Sequence, residues 1–420
     1  MFLVTQPESA SEQRVSLVLL GAAAFLVSVG TRILDPLLTT IAKPTEFNVS
    51  LESAGLTVAL YTYPYGICQL IYGPLGDRFG KVRVMAVAFA LNAVGTFACA
   101  FVPGGKGPGF STLLLLRFIT GVAAAAMIPL AIAYIGDKFP PEKRQATLGQ
   151  FMSSLMLGLV FSGPIGGIFG QFVGWRIIFI LLGAISMAVA AVLLFAARSE
   201  PAPARGAGKS VADAFGRYRA VLSNPNSVVV DLGIFLEGLF LFGGFVYLHS
   251  ALVKTLNISI FSAGLLLGSY GVGGLIYSLT AKQVVASLRQ WQMAILGGGL
   301  LAIGFLIIAA LPSLHQWWPF IPAAMLMGIG FNVIHSTLQT KATELAASAR
   351  GTAVSLFAFF FYLGQSIGAQ AGGAIVKRYG FPTDFIVAAV GLLLMAAWVA
   401  YRLPGMAQEA SPEVAVKAPA

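Results

Sequence analysis

The chain has 420 residues, 57% hydrophobic and only 10% charged, with a formal net charge of +10 and a mean hydropathy of +0.85. A water-soluble domain carries about 25% charged residues, so lipid must be the main solvent, and in lipid only helices or closed barrels satisfy the backbone. The apolar runs reach roughly 20 residues, which selects helices over the short alternating strands of a barrel. The positive excess, which in a soluble protein would suggest nucleic acid, is assigned instead to basic loops on one side of a membrane.

Residues 1–14 are short and polar, and the apolar run after them is too long for the core of a cleavable signal peptide. Twelve spans are predicted, at about 15–38, 52–75, 83–103, 112–136, 146–170, 176–198, 226–250, 259–282, 291–311, 317–340, 350–375 and 382–402. An even number puts both termini on one side. Placing them in the cytoplasm leaves eighteen of the 26 basic residues inside and six outside, with Arg32 and Arg117 within spans, and this asymmetry favours that orientation over its reverse. Cys68 and Cys99 both lie in apolar runs and are read as reduced packing residues. The Pro-, Gly-, Ala- and Arg-rich stretch 199–225 reads as a cytoplasmic linker between a bundle at 1–198 and a second at 226–402, with 211–222 able to form an amphipathic surface helix. Residues 403–420 read as a disordered cytoplasmic tail.

Charges inside spans are costly and are the first candidates for function. Arg32 and Asp35 lie three apart in the first span and share a helical face, with Pro36 behind them. Arg117 lies in the fourth span, where it can orient a substrate or bind backbone carbonyls. Glu237 sits near the middle of the seventh span, with Asp231 nearer its cytoplasmic end, either as a second buried acid or as a residue of the helix start. Asn332 and His335 occupy the cytoplasmic half of the tenth span, and His titrates near neutrality, so a relay stands beside plain packing. A carboxylate poised between burial and a nearby Arg can exchange protons, which makes Glu237 or Asp35 the candidate proton carrier; a static ion pair is the competing reading. Tyr61, Tyr63, Tyr65 and residues 359–362 can line an aromatic cavity or face lipid.

The densest charge cluster is the turn Gly73-Pro-Leu-Gly76-Asp77-Arg78-Phe-Gly80-Lys81-Val-Arg83 between the second and third spans. Its glycines permit a tight turn and close helix approach, and Asp77 can accept hydrogen bonds from a neighbouring helix N-terminus or pair with a basic residue. In the fifth span, Gly158, Gly163, Pro164, Gly166 and Gly167 offer small-residue packing and a proline bend. A shift of 206 residues aligns Arg144 with Arg350, Gly158 with Gly364, Gly166 with Gly372, Gly167 with Gly373 and Gly174 with Gly380. Two parallel six-span repeats imply a pseudo-twofold axis along the membrane normal and a substrate site between the halves. In that register Arg32 falls opposite Gly238, so Arg32 and Glu237 are expected at similar depth across the cavity.

Three of these stretches resemble the major facilitator superfamily, over essentially the whole chain. They are the Gly73–Arg83 turn, Arg117-Phe-Ile-Thr-Gly121 continuing to Pro129, and the fifth-span glycines, to which Gly174-Trp175-Arg176 adds a fourth match. Val82 stands where the family usually has a second basic residue, and the Gly pair of the fifth span falls one position early. The resemblance is clearest to the twelve-span drug:proton antiporter branch. It implies an all-α membrane protein of twelve helices in two six-helix pseudo-symmetric bundles, a cytoplasmic gating latch at Asp77, and a fifth helix at the interface between halves that limits leakage. The implied function is export of small amphipathic or aromatic compounds in exchange for protons, from the cell inner membrane, as a monomer. Import of a metabolite, possibly anionic given Arg32 and Arg117, lipid transport, and a non-transporting scaffold are the alternatives. No Walker loop, metal-ligand cluster or nucleophile arrangement occurs in the sequence, so neither cofactor, nucleic-acid partner nor enzyme activity is expected.

Overall fold

The computed structural model describes residues 10–105, 107–199, 211–345 and 350–409. Residues 200–210 of the 199–225 linker, Lys106 and the end of the tail, which enter the charge count and linker assignments above, therefore lie outside the described residues. The described chain is almost wholly helical. Its helices run α1 Ala10–Arg32, α2 Leu38–Ile41, α3 Leu51–Phe79, α4 Lys81–Cys99, α5 Pro108–Ala124, α6 Met127–Lys138, α7 Pro141–Ile168, α8 Trp175–Ser199, α9 Val211–Leu222, α10 Pro225–Phe245, α11 Leu248–Thr255, α12 Ile260–Ser287, α13 Gln290–Leu314, α14 Phe320–Leu345, α15 Arg350–Tyr379 and α16 Phe381–Glu409.

Among the described residues, eleven segments are long and apolar enough to cross a membrane. Three of them are broken helices: α1 with α2, α5 with α6, and α10 with α11. Helix α3 makes the twelfth pass. Its 29 residues span about 43 Å at 1.5 Å each, enough for a bilayer. It is less apolar than the others because its body carries Thr57, Tyr61, Thr62, Tyr63, Pro64, Tyr65 and Gln69. Those polar groups are tolerated because α3 packs along α15 of the other half and so faces protein more than lipid.

Local chemistry sets the ends. Ser50 and Ser259 cap α3 and α12, each side chain accepting from the backbone N–H three residues on at 3.0 Å. Each is preceded by an asparagine with positive φ, Asn48 at 50° and Asn257 at 53°. Gly174 and Gly380 start α8 and α16 with φ of 102° and 87°, a conformation that favours glycine. These pairs show the two halves as copies of one design. Their offsets differ, 209 residues at the caps and 206 at the glycines, because a short length difference separates the repeats between these points.

One sequence-based boundary changes, and one helix forms where expected but in different surroundings. The tail does not begin at 403, because α16 continues to Glu409 and buries Leu403 and Met406. The amphipathic stretch forms α9, yet it is docked onto protein: Tyr218 and Val221 pack with Leu70, Ala353, Leu356 and Phe360, and the Tyr218 hydroxyl donates to the Leu70 carbonyl at 2.9 Å. The helix between the halves thus straps α3 of one bundle to α15 of the other.

Candidate functional site

The two bundles meet along two seams. At the first, α3 lies against α15. Thr62 and Ser366 share a hydrogen bond of 2.6 Å. The Tyr247 hydroxyl donates to the Ala369 carbonyl at 2.8 Å and packs against Gly55 and Gly373, one from each bundle. Lys377 and Glu52 pair at 2.6 Å. At the second, α7 lies against α12. A Cβ on Gly163 would sit 3.1 Å from the Leu267 Cβ, one on Gly167 would sit 3.1 Å from the Gly264 Cα, and Pro164 faces Gly268. Gly163 and Gly167 of the fifth span therefore lie in the interface between the halves. Gly158 instead backs onto Phe25 and Ser28 of α1 in its own bundle. Both seams close the molecule on the side away from the linker.

Between the seams lies a cavity of about 430 Å³, lined from both halves. It runs from Arg32 and Phe242 to Gln339 on α14 and to Val354 and Ser355 in the first turns of α15, on the linker side. Tyr65 and Tyr362, with ring centroids 4.5 Å apart across the halves, wall it with Phe331, Phe357 and Phe361. Tyr61 and Tyr63 do not line it, and Phe359 stacks on Phe360 at 5.0 Å.

At the blind end, Pro36 lacks an N–H and helps break the first span into a 3₁₀ turn at Asp35–Leu37. The break turns Asp35 back toward Arg32, and Arg32 Nη1 lies 3.4 Å from Asp35 Oδ2. Both side chains are buried, at 4% and 2% exposure. The guanidinium also stacks 3.8 Å from the Phe242 ring centroid. Arg32 is therefore held by a carboxylate of its own bundle and an aromatic face of the other. Glu237 is fully buried, with Oε1 3.4 Å from His335 Nδ1. The His335 ring lies between Phe331, Phe357 and Phe361 and lines the cavity, so His335 stands between the cavity and Glu237.

Arg32 and Glu237 do not pair with each other. The reason is register. Gly158 backs onto the Phe25 carbonyl of the first span and Gly364 onto the Phe235 carbonyl of the seventh, an offset of 210 for these spans. Arg32 therefore corresponds to Phe242, the residue it stacks on. Glu237 lies five residues earlier, about 7 Å along the helix.

The remaining candidates divide. Asn332 lines the cavity and donates to the Gly328 carbonyl at 2.8 Å. Arg117 lies outside the lining: its Nε and Nη1 donate to the Thr57 and Gly30 carbonyls at 3.0 and 3.1 Å, and its guanidinium stacks 4.2 Å from the Tyr61 ring centroid. It ties α5 to α1 and α3. Asp231 is buried but does not line the cavity. Gln69, Gln365 and Tyr270 were not singled out from sequence. Gln69 and Gln365 each follow an aromatic cavity residue by one helical turn, Tyr65 and Phe361, and a polar side chain at that spacing in an apolar run was the available signal.

The basic turn lies on the linker side. Gly80 adopts φ 94° and alone joins α3 to α4. Gly76 packs on Leu130, while the position of Gly73 is open. Asp77 is half exposed, 3.8 Å from Lys81, and Lys81 makes a close ion pair with Asp137. Arg78 stacks on Phe79. Here the turn is held within its own bundle. In the second half, Gln290 donates to Glu344 at 3.4 Å where the first half has Lys81 and Asp137, so a neutral donor replaces a charge.

Comparisons with known proteins agree with this architecture. The chain is 27% identical over 368 residues to an MFS-type transporter, YceJ, of Bacillus subtilis, covering 86% of this chain and 90% of that one. It is 33% identical over 131 residues to the efflux pump FUB11 of Gibberella fujikuroi, covering 31% and 22%. The fold matches a bacterial homologue of the human lysosomal transporter Spinster in an inward-facing, unoccupied conformation, with TM-score 0.73, 18% identity, and coverage of 97% and 100%. The profile of the Major Facilitator Superfamily matches residues 20–250 and again residues 230–419, and the chain belongs to that superfamily.

Proposed function

We propose that the protein is a secondary active transporter that exports small amphipathic or aromatic organic compounds in exchange for protons. The observation that carries this reading is the aromatic cavity of about 430 Å³, with Arg32 at its blind end and His335 screening Glu237 from it. A planar or amphipathic solute finds ring faces along the walls and a few polar groups, Gln69, Asn332 and Gln365, to orient it. A proton taken by Asp35 changes its ion pair with Arg32, and one taken by Glu237 changes its contact with His335, and with either the balance between the open and closed arrangements. Efflux pumps among the relatives support the outward direction.

In this reading residues 1–198 and 226–402 rock about the cavity, the 199–225 segment connects them, and both termini face the cytoplasm of a bacterial inner membrane, as the basic residues favour. The linker-side opening is then the cytoplasmic one. The Gly73–Lys81 turn is disengaged here, and Asp77 finds its latch partner when that side closes. The protein works as a monomer in lipid.

Reconstitution into proteoliposomes tests the reading, with ethidium and a fluorescent naphthoate as probes and a proton gradient imposed in either sense. Exchange requires a probe to move against proton flow. Movement of naphthoate with proton flow would overturn export and favour the symport reading, which Arg32 in the cavity lining also supports.

A further inference from the structure

Beside the main cavity lies a separate void of about 20 Å³, lined by Arg32, Asp35, Ser162 and Tyr270 among apolar neighbours. Arg32 and Asp35 belong to the first span, Ser162 to α7 and Tyr270 to α12 of the other bundle. Two polar atoms of these residues, Asp35 Oδ1 and the Tyr270 hydroxyl oxygen, are buried with no hydrogen-bond partner among the described residues. Leaving a buried polar atom unpartnered forfeits its hydration with nothing in return. Two of them on one void, from opposite halves, define a site that takes a polar ligand.

The volume decides which ligand. A water molecule needs roughly 10–15 Å³ of such space and two to four polar partners. The void meets both conditions, and an organic solute does not fit it. A metal cation is disfavoured by the guanidinium of Arg32 on the same wall. We infer that a single water binds between Asp35 and Tyr270, donating to the carboxylate and accepting from the phenol, and links the Arg32–Asp35 pair of one bundle to a phenol of the other. The electrostatic surroundings fit a connecting role. Tyr270 interacts with Arg32 on one side and Glu237 on the other, its ring stacks edge-on with Phe245 at 4.8 Å, and it touches Phe331, against which His335 packs. The other ionisable groups facing this region are Arg117 toward Asp35 and Tyr362 toward Arg32. The bridge joins Asp35 by hydrogen bonds to a phenol that lies in the field of Glu237, so that proton occupancy of one bundle is sensed electrostatically by the other. In that use it rests on the proton-exchange reading above.

Infrared difference spectroscopy on the purified protein, titrated in detergent, reads the site without substrate or gradient. Wild type is expected to show a carboxyl band, lost in Asp35→Asn, accompanied by a water O–H band that moves in heavy-oxygen water. Tyr270→Phe keeps the ring stack and removes one partner; it should shift the carboxyl band and abolish the water band. Tyr277→Phe, whose hydroxyl bonds Ser336 at 2.7 Å elsewhere, should change neither. A carboxyl band and water band unmoved in Tyr270→Phe would overturn the bridge. Failure of wild-type proteoliposomes to respond to a proton gradient would overturn the exchange reading and leave the infrared result standing.

Discussion

The guanidinium carbon of Arg32 lies 3.8 Å from the ring centroid of Phe242, and the two residues are equivalent positions of the two repeats. One half places a cation at the blind end of the cavity and the other places the aromatic face that receives it. The halves are therefore symmetric in backbone and complementary in chemistry at this point.

Truncating the ring tests how much that contact holds the linker-side-open arrangement. A desolvated cation–π contact is worth about 2 kcal/mol, roughly a 30-fold change in a two-state balance. Phe242→Leu is expected to raise the population of the other arrangement accordingly. Spin-label distances across the linker-side mouth read this, and an unchanged distribution would show that the ring is only filler.

The glycine seam makes a second prediction. A Cβ on Gly264 would sit 2.7 Å from the Gly163 carbonyl oxygen and 2.9 Å from the Gly167 Cα. Neither atom belongs to a flexible side chain, so Gly264→Ala must push the bundles apart, at about 1–3 kcal/mol. Gly299→Ala, with nothing near its added carbon, is the control. The expected phenotype is a proton leak through Gly264→Ala vesicles, measured as faster collapse of an imposed gradient, with the control like wild type.

The far-side closure is also testable by tethering. Glu52 and Lys377 join α3 and α15 at 2.6 Å, on the side away from the linker, which the proposed alternating access requires to open. In a background with Cys68 and Cys99 replaced, cysteines at 52 and 377 joined through disulfides by a short bis-methanethiosulfonate linker should stop transport, and reductant, which cleaves those disulfides, should restore it. Full transport by the cross-linked protein would mean that this seam never opens.

Buried acids separate coupling from binding. Glu237→Gln and Asp35→Asn keep shape and remove the exchangeable charge beside His335 and Arg32. At least one is expected to lose gradient-driven accumulation about 100-fold or more, the low end of what a positioned proton-transfer group contributes, while probe exchange across the membrane persists. Concentrative transport intact in both variants would remove the two acids from coupling. Asp231→Asn, away from the cavity lining, should leave coupling unchanged.

The chain's own pattern determined the class of protein, the twelve passes, the glycine contacts between helices and the placing of charges along each helix. Those follow from local rules, since a segment's length, apolarity and helix-breaking residues act within a few turns. The inward faces were not determined in that way. In lipid a helix is apolar on its outer face and largely apolar on its packed face, so periodicity does not separate the two. Packing decided that Tyr65 lines the cavity and Tyr63 does not, that Arg117 binds carbonyls, and that Asp231 stands apart. It also decided the register. A repeat aligned on the fifth-span glycines carries an offset of 206 into a first span whose contacts follow 210. That difference of four residues, about one helical turn, moves the partner of Arg32 from the neighbourhood of Glu237 to the ring of Phe242.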